Sequence, residues 1–314
     1  MKKAPATLAA IAAFAALTFA APAPAQAQTA AHSWTVERRG GRDFVKDHVG
    51  NAVEIKTYKR IVLASPGAVE TLYLIGAQDS IVAIAASSGG TWPQDKTDKL
   101  PSIGSPARPS LETVVSYAPD LVILSGMNTE LAATLSSRGF MVLIHRAEDI
   151  EDIFNATLLM GSLTGRRSAA EALVAERRAR LAEVAKELAA KPLGLKGAFV
   201  YSASPVMAFT EKSLPGEILA TLGVQNIAAS LDGARPILSP ELILASTPDF
   251  LFGAMSIAKP EDLLGADPSI ARTRAGRERN VTIVPSSLFL RPSPRIVDGI
   301  LELREELIKV AAKK

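Results

Sequence analysis

One pattern occurs twice in this chain and limits its fold more than any other feature. The first copy runs Ser110-Leu111-Glu112, then Pro119-Asp120 and the apolar stretch Leu121–Leu124. The second runs Ser239-Pro240-Glu241, then Pro248-Asp249 and Phe250–Phe252. Glutamate and proline are seven residues apart in both. Each copy reads as a short helix entering a buried strand. A helix with the same ending precedes each, Leu74-Ile75-Gly76-Ala77-Gln78-Asp79 before the first and Leu222-Gly223-Val224-Gln225-Asn226 before the second. Repetition on this scale predicts two similar α/β lobes. Each lobe then presents a glutamate at an equivalent place.

The ends of the chain bound its destination. Lys2 and Lys3, the apolar stretch Leu8–Phe19 and Ala25-Gln26-Ala27 have the three parts of a cleavable export signal over residues 1–27. The apolar stretch is short for a bilayer span. No cysteine is present, so there is no site for a lipid and no disulfide, although an oxidising compartment would permit one. The expected location is the periplasm. The chain carries 35 Lys and Arg against 32 Asp and Glu, and Lys2 and Lys3 leave with the signal. That near-balance gives no reason to expect nucleic acid or an anionic membrane as partner. A monomer is expected.

The rest of the chain divides into segments. Residues 28–59 are polar, with turn signals at Gly40-Gly41 and Gly50-Asn51, and predict an exposed leader carrying one hairpin. Residues 60–165 alternate strands and helices: strands at Arg60–Ala64, Ile81–Ala85, Leu121–Leu124 and Val142–Ile144, helices at Ala68–Ile75, Leu111–Tyr117 and Glu130–Arg138. Such alternation predicts parallel pairing with helices on both sheet faces. Residues 150–190 are helical with a break near Gly161–Gly165. The part from Ser168 carries Ala170, Val174, Leu181, Val184 and Leu188 on one stripe. It lies between the repeats, so residues 166–191 are expected to form a connecting helix. Residues 192–314 form the second lobe.

Catalytic signatures are missing. The sequence has no nucleophile-elbow serine motif, dinucleotide fingerprint, phosphate loop or paired-histidine zinc motif. Its three histidines, His32, His48 and His145, are scattered. No catalytic residue, metal site or cofactor is expected. An enzyme reading is therefore disfavoured, and a secreted α/β enzyme is kept only as an alternative.

A family resemblance adds to this. Arg60-Ile61-Val62, Glu70-Thr71-Leu72-Tyr73-Leu74-Ile75-Gly76-Ala77 and Leu111-Glu112…Ala118-Pro119-Asp120-Leu121-Val122-Ile123 resemble the N-lobe of periplasmic binding proteins of the iron–siderophore and vitamin B12 family. Ser213–Ile227, Glu241…Pro248-Asp249 and Arg291-Pro292-Ser293-Pro294-Arg295 resemble its C-lobe. The resemblance implies a class III periplasmic-binding-protein fold: two Rossmann-like α/β lobes with mainly parallel sheets, joined by one long rigid helix. It implies little hinge motion and a ligand held between the lobes. It also implies that Glu112 and Glu241 dock on arginines of an inner-membrane ABC permease. By itself, each acid would simply complement a helix N-terminus behind a serine cap, an effect of about 0.3–1 kcal/mol.

Ligands of open α/β sheets sit beyond the carboxyl ends of the strands. The loops there, with those leading into the two glutamate helices, supply the candidate ligand-binding residues Trp92, Arg108, Met127, Arg146, Tyr201, Arg235 and Arg291. Several arginines converging on one cleft would suit a carboxylate or other oxyanion. Aromatic residues make up only 5% of the chain, which tells against a corrin or porphyrin. The expected ligand is accordingly a ferric siderophore or similar anionic iron chelate. Cobalamin, or haem through Tyr201 or Tyr73, is the alternative. Met207 and Met255 are further candidates for the cleft wall.

Overall fold

The structure, a computed structural model, describes residues 34–314. The expected export signal, residues 1–27, lies outside the described residues.

The described chain opens with a three-stranded antiparallel sheet, β1 (Trp34–Arg39), β2 (Arg42–Asp47) and β3 (Ala52–Glu54). The expected hairpin is therefore present, turning at Gly40-Gly41 with both glycines at positive φ. It is not an exposed leader. Trp34, Val45 and Val53 are buried in the core of the first lobe. The small sheet also covers an open strand edge. Asp47 accepts a hydrogen bond from the Ile144 N–H at 2.9 Å, and the Trp34 indole N–H donates to the Ile144 carbonyl at 3.2 Å. Free edges invite wrong pairing, and this one is capped by two side chains.

The N-lobe follows: β4 (Ile61–Leu63), α1 (Pro66–Leu74), β5 (Ile81–Ile84), α2 (Gln94–Thr97), β6 (Gly104–Ser105), β7 (Arg108–Pro109), α3 (Leu111–Ser116), β8 (Leu121–Ser125), α4 (Thr129–Ser137) and β9 (Val142–His145). Four strands form a parallel sheet in the order β5-β4-β8-β9. Successive residues alternate between its faces, as strand geometry requires. Ile61, Leu63, Leu121 and Ile123 pack on the α1 side, while Val62, Val122 and Leu124 pack on the other.

Two helices join the lobes, α5 (Ile150–Thr164) and α6 (Arg167–Ala190). Gly165, at φ +68°, turns one into the other. At 24 residues, α6 spans about 36 Å. Both helices contribute to both cores. In α5, Ile153 and Phe154 enter the second core, and Met160 and Leu163 the first. In α6, Ala170 enters the first, and Val174 and Val184 the second. The expected stripe is partly filled, with Leu181 and Leu188 half-buried against the C-lobe.

The C-lobe comprises β10 (Lys196–Ala203), β11 (Val206–Ala208), α7 (Leu214–Thr221), β12 (Gln225–Asn226), α8 (Pro240–Ser246), β13 (Phe250–Gly253), α9 (Pro260–Leu264), α10 (Pro268–Ala271), α11 (Arg274–Arg277), β14 (Val281–Ile283), α12 (Ser286–Phe289) and α13 (Ile296–Ala312). Its sheet runs β11-β10-β13-β14, with β12 also on β10 and only β11 antiparallel.

The repeat has a structural cause. The Asp120 carboxylate accepts from the Lys59 and Arg60 N–H groups at 2.9 Å each, and the Asp249 carboxylate from the Lys196 N–H at 2.9 Å. Each Pro-Asp step thus ties its strand to the start of the first strand of its lobe. Ala118 (φ +43°) and Thr247 (φ +46°), just before the two prolines, share the same left-handed turn. Ser110 and Ser239 cap α3 and α8 by accepting from Thr113 N–H and Leu242 N–H, both at 3.2 Å.

Since Trp34 belongs to the N-lobe core, Trp34→Ala is expected to destabilise the protein by about 3–5 kcal/mol, as other buried aromatic truncations do. Urea unfolding checks this. A change under about 0.5 kcal/mol, typical of exposed positions, would restore the exposed-leader reading.

Candidate functional site

The lobes meet through one buried carboxylate. Glu70, on α1, has no exposed surface. It takes hydrogen bonds from Arg291 Nη1 at 3.1 Å and Ser293 Oγ at 2.7 Å, and Arg295 Nη1 lies 3.3 Å away. All three partners precede α13 in the C-lobe. Arg291 Nη2 also donates to Ser87 Oγ at 2.8 Å, and the Arg295 guanidinium lies over the Trp92 ring at 4.9 Å. Beside this network, Gly67 packs on Pro292. A Cβ at Gly67 would stand 2.5 Å from the Pro292 carbonyl oxygen, so only glycine permits this approach.

A cleft of about 670 Å³ opens beside that contact. Its N-lobe wall is Ala147, Glu148 and Asp149, just beyond β9. Its C-lobe wall includes Phe209, Leu214, Glu217, Arg235, Met255 and Leu290. The cleft thus lies at the carboxyl ends of strands, where open α/β sheets bind ligands. Its charged lining is mostly acidic: Glu148, Asp149, Glu211 and Glu217 against Lys212 and Arg235. The Glu217 carboxylate accepts from the Ile150 N–H at 2.9 Å. Burial first, then the charges of Asp149, Glu151 and Asp152, push its pKa up to about 7, partly opposed by that hydrogen bond.

The seven residues expected at the cleft fall in different places. Arg235 lines it, with its guanidinium over the Tyr201 and Phe209 rings at 5.7 and 5.5 Å. Tyr201 is half-buried behind Arg235, and its hydroxyl donates to Met207 Sδ at 3.3 Å. Arg146 adjoins the N-lobe wall and pairs with Glu148. Arg291 is bound to Glu70 and Ser87. Arg108 is exposed on β7. Trp92 and Met127 stand 38% and 70% exposed on loops of the N-lobe. Met127 follows β8 much as Met255, 55% exposed, follows β13. Met255 has φ +58°, and its N–H donates to Ser286 Oγ. The expected convergence of free arginines is not formed: Arg291 is bound to buried Glu70, and Arg146 forms a surface pair with Glu148. Glu148 and Glu217 are cleft residues that the sequence pattern did not single out.

Elsewhere, His145 is buried with Nδ1 2.8 Å from Ser65 Oγ, and burial lowers its pKa to about 4. It is therefore neutral at pH 7. Tyr73 is packed against the N-lobe core, away from the cleft wall. Glu112 and Glu241 are both exposed in the first turns of α3 and α8. Among the described residues, no group of three or more His, Cys, Asp or Glu side chains is placed to hold a metal ion.

The periplasmic binding protein family model matches residues 61–288. The chain belongs to the periplasmic binding protein family. A cobalamin-binding protein of Halobacterium salinarum is 29% identical over 259 residues, covering 78% of this chain and 68% of that relative. The Fe(3+) dicitrate-binding periplasmic protein FecB of Escherichia coli is 25% identical, covering 79% of this chain and 83% of its own. The apo periplasmic heme-binding protein RhuT of Roseiflexus superposes with a TM-score of 0.73 at 23% identity, covering 81% of this chain and 99% of that one. At that identity the likeness shows the fold alone. It is the class III binding-protein fold, two α/β lobes and a long helix between them.

Glu70→Ala in this binding protein would leave two guanidinium groups facing each other in a nearly dry contact. Its expected cost is about 3–5 kcal/mol, as for other broken buried pairs. Chemical denaturation checks it, and a loss below about 1 kcal/mol, the surface-pair range, would show the contact to be dispensable.

Proposed function

We propose that this protein is the periplasmic substrate-binding component of an ABC importer and that its ligand is a corrinoid or similarly bulky metal chelate without net negative charge. It binds and delivers, and performs no chemistry. The observation that carries the reading is the charge of the cleft wall. Four carboxylates and two basic groups line it, with Glu148 paired to Arg146, the Glu217 pKa raised to about 7 and Arg291 held by Glu70. The wall therefore has no surplus of positive charge with which to hold a polyanionic chelate.

The cleft, about 670 Å³, is the size of a small-molecule site, about 300–1,000 Å³, and would take part of a corrinoid rather than the whole of it. Three observations support the choice. Phe209, Leu214, Leu290 and Met255 offer apolar surface to a flat ring system. The thioether of Met255, held out on a left-handed turn, adapts to irregular surfaces. The relative from Halobacterium salinarum, named as cobalamin-binding, agrees with this choice.

A ferric siderophore is the second reading. The likeness to the iron dicitrate-binding protein of Escherichia coli favours it, and Lys212 with Arg235 would be its only cationic contacts on the wall.

Quenching of Trp92 fluorescence, titrated separately with cyanocobalamin, ferric dicitrate and haemin, compares the ligands. Cyanocobalamin is expected to bind at least about tenfold more tightly than ferric dicitrate, a difference of about 1.4 kcal/mol. Tighter ferric dicitrate binding would reverse the assignment, and chemical conversion of the bound chelate would indicate an enzyme.

Delivery is assigned to Glu112 and Glu241, one exposed acid on each lobe. Separated charges fix the orientation of a docking partner. The double variant Glu112→Ala/Glu241→Ala is expected to keep ligand affinity and abolish uptake into cells carrying the cognate permease. Undiminished uptake would remove the docking role.

A further inference from the structure

The repeat extends to the lobe contacts. The first helix of each lobe ends at a left-handed glycine, Gly76 at φ +70° after α1 and Gly223 at φ +62° after α7. Six residues before each glycine stands a glutamate, Glu70 in the N-lobe and Glu217 in the C-lobe. Both bond beyond their own helix. Glu70 meets Arg291, Ser293 and Arg295 of the C-lobe. Glu217 meets the Ile150 N–H at the start of α5, whose first turn packs in the C-lobe core and whose last turns pack in the N-lobe core.

Their charge balance differs. Glu70 is compensated by two guanidinium groups and sealed from water. Glu217 lies on the cleft wall, and the charges that raise its pKa are acids of the facing helix start, Asp149, Glu151 and Asp152. The other charged groups of the wall are Glu148 beyond β9, Glu211 and Lys212 ahead of α7, and Arg235 ahead of α8. At the position equivalent to Glu70, therefore, the carboxylate borders the cleft, and no arginine among the described residues forms an ion pair with it.

We propose that Glu217 is the specificity-determining residue of the cleft, and that a cationic or hydrogen-bond-donating group of the ligand fills the place that Arg291 and Arg295 occupy at Glu70. This rests on the corrinoid reading, since a corrin carries a metal-centred positive charge and a rim of primary amides. The wall then selects by charge at this point: a donor is rewarded at Glu217, a carboxylate placed there is repelled, and the nucleotide-loop phosphate of a complete cobalamin lies away from it.

Proton linkage provides the test. Burial, with the neighbouring acids, pushes the Glu217 pKa up to about 7. A donor or cation in contact with a carboxylate favours the ionised form. Binding then releases a proton, and affinity rises with pH. For monocationic aquocyanocobinamide, wild-type affinity is expected to rise about tenfold between about pH 6 and about pH 8, the ratio of ionised fractions for a group titrating near neutrality. Glu217→Gln keeps an acceptor for the Ile150 N–H while removing the charge, and its affinity is expected to be flat over that range. Calorimetry in two buffers of different ionisation enthalpy supplies a second readout. It should find about half a proton released per wild-type complex near pH 7 and none for the variant. Binding without pH dependence or proton release, or with a slope that survives Glu217→Gln, overturns the role of Glu217 alone. Failure of both aquocyanocobinamide and cyanocobalamin to bind at any pH overturns the corrinoid reading and the role of Glu217 with it.

Discussion

The cleft exists in its present shape because a carboxylate of one lobe is buried among cations of the other. An ionised group moved out of water is costly unless it is paired and fully hydrogen-bonded. Glu70 meets that condition only where Arg291, Ser293 and Arg295 converge on it. The requirement fixes the distance and orientation of the lobes at one edge of their contact. Gly67 against Pro292 adds a steric stop at the same place. Helices α5 and α6, whose side chains enter both cores, add a second connection between the lobes.

The same contact decides the chemistry of the opening. Arginine is the residue best suited to oxyanion recognition, and the strand-end loops are well supplied with it. Yet Arg291 is taken by Glu70, Arg146 by Glu148, and Arg235 lies over two aromatic rings. What faces the cleft is mostly carboxylate and hydrocarbon. Structural and selective charges are drawn from one set of residues, so altering one disturbs the other.

Much of the frame was legible in the sequence because its signals are local. Short β-branched and aromatic runs marked the strands, Ser110 and Ser239 marked helix starts, and Gly76 and Gly223 marked helix ends. The Pro-Asp steps showed that two lobes share a plan, although their task of holding Lys59, Arg60 and Lys196 backbone needed coordinates. Long-range contacts were invisible. The leader residues Trp34 and Asp47 are tied to Ile144, about a third of the chain away, and look polar and peripheral by composition. Arg291 and Glu70 are 221 residues apart, so nothing in the spacing shows that this arginine is consumed. Strand ends marked the loops that carry the cleft, whereas its charge depends on pairings that spacing does not reveal.

Selection of any kind requires the ligand to sit in the cleft between the lobes. Hydrogen–deuterium exchange of the full protein, with and without saturating cyanocobalamin, tests it most directly. Protection is predicted at residues 147–150, 209–217 and 253–256, with the strand cores unchanged. No protection in those segments, or protection confined to another face of either lobe, would contradict it.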